Sequence, residues 1–155
     1  VILDELTEFC DATALNTGGA GTYNIGDQID TRALPGMIDP NVTKDFGFSE
    51  LYLIVRVATT ATSGGSATGT FRLVSDAIAT PDLSTATVHV VSPTFTVASM
   101  TAGTTLLALK LPSGSYERYI GIQQITGTAA FTAGAIDAFL TNDPNAWRPY
   151  ADNVN

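Results

Sequence analysis

The stretch Leu51-Tyr52-Leu53-Ile54-Val55-Arg56-Val57-Ala58 decides the fold class. Successive side chains of an extended chain point to opposite faces, so Leu51, Leu53, Val55 and Val57 share one side, and Tyr52, Ile54, Arg56 and Ala58 the other. That pattern predicts a strand. The turn Ser63-Gly64-Gly65-Ser66 follows, and then Thr68–Val74 with Phe71 and Leu73 on one face. The two runs read as a hairpin with a longer loop.

Further strands are expected at short intervals downstream. Thr87–Val91 turns either Val88 and Val90 or His89 and Val91 inward, and Pro93 breaks it before a short Phe95–Ala98 segment. Thr104–Leu111 alternates Leu107, Leu109 and Leu111 and stops at Pro112-Ser113-Gly114, where a fixed φ is followed by a residue free to adopt a positive one. Arg118–Ile125 and Ala135–Leu140 complete the set, separated by the loop 127–134. Regular strands, Gly/Pro turns and no long helix predict an all-β fold, an antiparallel two-sheet sandwich of the jelly-roll or Ig-like type.

Upstream the pattern weakens. Leu3, Leu6 and Phe9 stand three apart, which fits one or two helical turns or an irregular strand, and Tyr23, Ile25 and Ile29 predict a short strand. Residues 31–49 carry Pro35, Gly36, Pro40 and Gly47 without periodicity. A connection that long in a compact domain serves a function or is ordered by a partner, or else packs on its own domain, here through Leu34, Met37, Ile38, Phe46 and Phe48. The expected organisation is a single domain over 1–155, with 1–50 an irregular acidic arm and loop and 141–155 a tail.

The chain's 155 residues suffice for one domain that buries about 68–70 % of its unfolded surface. Charged residues make up 14 % against a usual value of about 25 %, and the balance is −8. Residues 1–50 hold nine acids and two bases, −7, and residues 51–155 six acids and five bases, −1. With no excess of Lys and Arg to displace counterions from phosphates, nucleic acid is not expected as a direct partner. No apolar run approaches the ~18 residues of a membrane span, and Asp4, Glu5, Glu8 and Asp11 predict no secretory signal, so neither a membrane nor an oxidising compartment is expected.

The catalytic inventory is short. Cys10 is the single cysteine and has no basic neighbour to lower its pKa, which predicts a buried inert thiol. His89 is the single histidine and sits in an apolar strand without a G-x-S-x-G turn in the chain, so a structural role is expected. One His and one Cys do not make a zinc site, and Asp27, Asp30, Asp39 and Asp45 do not match an EF-hand. Gly18-Gly19-Ala20-Gly21 lacks the following Lys of a phosphate loop and reads as a turn, and Asn41-Val42-Thr43 is a glycosylation sequon that matters only on a secretory route. No catalytic, cofactor or metal residue is therefore assigned, and the protein is expected not to be an enzyme. In the tail, Ala146-Trp147-Arg148-Pro149-Tyr150 groups the residue types enriched at interface hot spots, and Trp147 either anchors a partner or closes its own sandwich.

Several stretches together resemble one family: Ile2-Leu3-Asp4 with Phe9 and Asp11-Ala12; Leu51-Tyr52-Leu53; Ser63-Gly64-Gly65-Ser66-Ala67-Thr68; Arg118-Tyr119-Ile120. They continue in Gly127 with Phe131-Thr132-Ala133-Gly134, in Ala138-Phe139-Leu140, in Ala146-Trp147 and in Tyr150. Their order and spacing resemble the capsid cement, or decoration, proteins of tailed bacteriophages, typified by that of a Bordetella phage. The length of 31–49 and Pro93 depart from the family's pattern. The resemblance implies a jelly roll and a structural job: a virion protein, made in the host bacterial cytoplasm, that binds the outer surface of the major capsid protein shell and bridges capsomers. It implies further copies of itself as partners, as a dimer or trimer, and no cofactor. The candidate partner-facing residues are Ile2, Leu3, Asp4, Phe9, Asp39, Asp45, Trp147, Arg148 and Tyr150. An alternative is a carbohydrate-binding or adhesion β-sandwich module of a virion.

Overall fold

A computed structural model describes residues 7–31 and 50–145. Among these residues nine strands follow one another: β1 (Glu8–Ala14), β2 (Gly21–Asp30), β3 (Tyr52–Thr62), β4 (Thr68–Asp76), β5 (Thr87–Val91), β6 (Phe95–Thr96), β7 (Thr105–Lys110), β8 (Tyr119–Gly127) and β9 (Ala133–Thr141), with a 3-10 turn at Val97–Ser99. They form two antiparallel sheets. One has the order β1-β9-β3-β7, and the other the order β2-β8-β4-β5 with the short β6 also on β4. Leaving β6 aside, the first strand pairs the last and the second pairs the last but one, and each sheet takes strands alternately from the two halves of the chain. That winding is a jelly roll.

The strands expected downstream of residue 50 are present, and the all-β sandwich stands. The hairpin does not. β3 pairs with β7 and β9 in one sheet, and β4 with β8 and β5 in the other, so the turn at residues 63–67 crosses between sheets. Period-two alternation gives each strand two faces but does not name its neighbour. The expectation of an irregular arm over 1–50 is also corrected where the chain is described. β1 lies along β9 and β2 along β8, each a full member of its sheet. Irregular spacing of their apolar residues follows from bulges: β1 shifts register between Glu8 and Cys10 and again before Thr13, and β2 between Ile25 and Ile29.

The core lies between the sheets. Leu53, Val55 and Val57 of β3, Phe71 and Leu73 of β4, Ile120 and Ile122 of β8 and Ile136, Ala138 and Leu140 of β9 meet there, and Phe131 and Met100 fill one end. Each of these side chains larger than alanine contributes roughly 1.5–3 kcal/mol through burial. Ile54 and Phe139, paired across β3 and β9 on the opposite face, are buried as well, so the centre of the four-stranded sheet is covered on both sides.

β1 and β2 belong to different sheets but touch at Gly26. Its φ is +72°, and a Cβ there would lie 2.1 Å from the Phe9 carbonyl oxygen and 2.4 Å from the Cys10 Sγ. Glycine is required twice over, by backbone conformation and by space. Gly26→Ala is expected to lower the unfolding free energy in urea by about 2–4 kcal/mol, combining a left-handed backbone with an overpacked contact. Gly19→Ala, with nothing within 4 Å of its new Cβ, stays within about 0.5 kcal/mol of the parent.

Candidate interaction surface

Two adjacent glutamines of β8 organise the loops around this framework. Gln123 and Gln124 are both 0 % exposed and, being consecutive in a strand, face opposite sides of the sheet. Gln124 faces inward and holds the β1–β2 connection: its Oε1 accepts from the Asn16 amide at 2.9 Å, and its Nε2 donates to the Asn16 carbonyl at 3.1 Å and to Thr126 Oγ1 at 2.8 Å.

Gln123 faces outward and holds the β4–β5 connection, residues 77–86, across the outer face of its sheet. Asn24 of β2 donates to the Pro81 carbonyl (2.9 Å), Gln123 of β8 to that of Asp82 (3.2 Å) and Arg72 of β4 to that of Leu83 (2.9 Å). Three side chains from three neighbouring strands thus read three successive carbonyls. The side chains are tied to one another, with Arg72 Nε donating to Gln123 Oε1 at 2.8 Å and Gln123 Nε2 to Asn24 Oδ1 at 2.9 Å. Asp82 tightens the loop from within. Its carboxylate accepts from the Ser84 hydroxyl and from the amides of Ser84 and Thr85, which hold its pKa down at about 2.

This pinned loop and the strand that follows form an apolar edge. Ile78 (56 %), Leu83 (44 %), Val88 (41 %) and Val91 (56 %) are the exposed large hydrophobics among the described residues, and all four fall within this one stretch. β5 has β4 as its only strand neighbour among the described residues. Val88 lies opposite Val74 and Val91 opposite Arg72, which places both on the outer face that the loop covers, while Val90 opposite Leu73 turns inward. No Asp, Glu, Lys or Arg occurs between Asp82 and Lys110. That gap in charge is the sequence signal that would have marked this edge, since exposed edge strands are ordinarily guarded by charges.

His89 stands at the bulge between Val88 and Val90 and faces the β7–β8 connection. Its ring stacks on Tyr116 at 3.9 Å, and its Nε2 lies 2.7 Å from Ser75 Oγ. The Glu117 amide donates to the same oxygen at 3.1 Å, and the Glu117 carboxylate accepts from Thr87 Oγ1. A serine beside a histidine resembles part of a hydrolytic site, but Ser75 is 0 % exposed and its oxygen already holds two partners. The pair joins β4, β5 and the loop before β8. The Cys10 thiol is likewise enclosed, 3.7 Å from the Ile25 carbonyl, and burial pushes its pKa up to about 12. Among the described residues no three His, Cys, Asp or Glu converge on a common point, and no helix is long and apolar enough to cross a membrane.

Of the partner-facing residues expected from the sequence, Phe9 is corrected. It is 1 % exposed in the core, because β1 turns it inward between the sheets, and it has no surface to offer. Ile2, Leu3, Asp4, Asp39, Asp45, Trp147, Arg148 and Tyr150 lie outside the described residues. The framework nevertheless fixes where their segments attach. Glu8 lies opposite Phe139 near the end of β9, Tyr52 pairs with Thr141 and Lys110, and Asp30 pairs with Tyr119. The chain therefore crosses residues 7, 31, 50 and 145 at one pole of the sandwich. There Asp30 receives a two-pronged contact from Arg118, at 3.0 and 2.8 Å, and the Thr31 amide donates to the Arg118 carbonyl.

These features define a jelly-roll sandwich domain with one segment-bearing pole and one uncharged apolar edge. The chain belongs to the Bbp16 family, a Bordetella phage protein family, whose model matches residues 12–140. A comparison with curated proteins returned no match.

Two outcomes follow. Gln123→Ala leaves Arg72, Asn24 and the Asp82 carbonyl without their shared partner, which costs about 2–4 kcal/mol in urea unfolding and speeds amide exchange across 77–86 before the strands open. Burial lowers the pKa of His89 from its ordinary value of 6.5, against a smaller upward pull from Glu117. The unfolded chain therefore takes up the proton first as pH falls, so the stability due to neutral His89 is complete above 6.5 and is lost below it. The urea midpoint should drop between about pH 7 and 5, and His89→Gln should flatten that drop, since no other histidine titrates there.

Proposed function

We propose that this protein is a structural cement protein of a tailed-bacteriophage capsid. It binds the outer surface of the major capsid protein shell, bridges neighbouring capsomers and catalyses no reaction. The observation that carries this reading is the Bbp16 match, which runs from residue 12, within β1, to residue 140, within β9, and so takes in strands of both sheets. Fold alone does not assign function, since jelly rolls host many.

Charge and geometry support the reading. Residues 1–50 carry a balance of −7, and the undescribed parts of that stretch join the sandwich at the pole where Asp30 and Glu50 also lie. That pole faces the shell in this proposal, with the acids meeting a basic capsid surface. The chain's own copies are its further partners. A glycan-binding sandwich would present aromatic rings for stacking, whereas the exposed large hydrophobics among the described residues are aliphatic.

Purified protein mixed with cement-free capsids of the phage that encodes it should co-sediment with them and appear by cryo-electron microscopy as regular density on the outer lattice. Raising NaCl from about 50 mM to about 500 mM should weaken that binding, because an acid-to-base contact is screened over a few ångströms at the higher value. Absence of lattice density, or binding confined to glycans, overturns the reading.

A further inference from the structure

The geometry points to an intramolecular docking surface: the outer face of the four-stranded sheet, centred on Ile54 and Phe139, is the seat of this chain's own segment 146–155, with Trp147 laid over that pair. The inference is independent of the preceding reading, and it assigns Trp147 to its own domain instead of to a partner.

The face is apolar at its centre and covered. Ile54 (0 % exposed) and Phe139 (3 %) pair across β3 and β9 on the side away from the second sheet, and neither belongs to the cluster that fills the space between the sheets. No strand among the described residues lies on that side. The covered area follows β9. In its outward row Thr141 and Phe139 are buried, whereas Lys110 and Ala108, their counterparts across β3 on β7, are exposed. Such a footprint belongs to a chain that doubles back along the strand it has just left.

The exit from β9 starts that return. Thr141 stands in the outward row, level with Tyr52, and its Oγ1 accepts from the Asp143 amide at 3.1 Å and donates to the Asp143 carbonyl at 3.3 Å. The Asp143 carboxylate in turn accepts from the Asn145 amide at 3.0 Å. Two successive side-chain-to-backbone turns thus lift the chain out of the sheet on its outer side. The Ile54–Phe139 row lies two residues back along the strands, about 7 Å from the Thr141 row. Trp147 follows Asn145 by two residues, which also reach about 7 Å.

The other candidate occupants approach differently. Residues 31–50 rejoin the sheet through Leu51, which packs inward on the core, and residue 7 enters at β1 on the sheet's margin. The 142–145 turn rises on the outer face at the sheet's centre, and the segment after it carries the chain's single Trp, followed by Pro149 and Tyr150. An indole buries about 150–250 Å², enough to lie across an Ile–Phe pair.

The single Trp makes the test direct. In the full-length native chain, acrylamide should quench the tryptophan fluorescence at least about three-fold less strongly than in the urea-unfolded chain, and Ile54→Ala, with the parent's circular dichroism, should narrow that gap. Should Ile54→Ala fail to fold, the parent decides by nuclear Overhauser contacts. The Trp147 indole must contact the Ile54 methyls and the Phe139 ring, within one copy when labelled and unlabelled chains are mixed. A freely quenched Trp147, contacts of Ile54 with Phe46, Phe48 or Leu3 in place of the indole, or an indole contact seen only between copies overturns the inference.

Discussion

Two buried amides, side by side on a central strand, hold this molecule's connections in place. A strand buried on both faces usually reads as a continuous apolar run, and placing Gln123 and Gln124 at its middle demands that the oxygen and both amide protons of each find a partner. Here they do: Gln124 closes on the Asn16 backbone and Thr126, and Gln123 on Arg72, Asn24 and the Asp82 carbonyl. Buried polar groups that are fully satisfied specify a single arrangement, because any shift of the loop or strand strands a donor at a cost of about 1–3 kcal/mol. The two connections are in this way bound into the sandwich, and the shape of the β5 edge follows from the outward one.

Sequence periodicity carried the strands but not their partners. Leu53, Val55 and Val57 alternate as a half-buried strand should, and β3 is where they predict it. Yet the sheet that β3 joins depends on residues 71 to 89 positions away in β9, which no local pattern encodes. β1 and β2 were obscured for a different reason. Bulges at Cys10 and after Ile25 break the period of two, and the left-handed Ala12 and Gly26 bend the strands towards each other. Bulges serve the fold by joining the two sheets at one edge, and hide it from anyone counting alternations.

The site was legible unevenly. Cys10 and His89 were readable as structural because the chain offers no second cysteine or histidine, and their burial is an ordinary consequence of lying on apolar strands. Phe9 misled because spacing alone does not tell a core aromatic from an exposed one. The apolar edge at Ile78, Leu83, Val88 and Val91 was written in the sequence only as something missing, a run without formal charge, while the loop that presents two of its members is placed by Asn24, Gln123 and Arg72 from three separate strands.

The gathering of the chain's crossings at one pole bears on how this domain can be engineered. Because β1 and β9 are neighbours, residues 7 and 145 lie on the same side of the sandwich as residues 31 and 50. The turn at residues 63–67, between β3 and β4, emerges from the other. Gly64 in that turn has nothing within 4 Å of a built Cβ, Ser63 ties the turn to Ala130 through its hydroxyl, and the Gly65 amide donates to that same oxygen. An epitope inserted between Gly64 and Gly65 would therefore project away from the first pole, and the sandwich becomes a display scaffold with a fixed front and back.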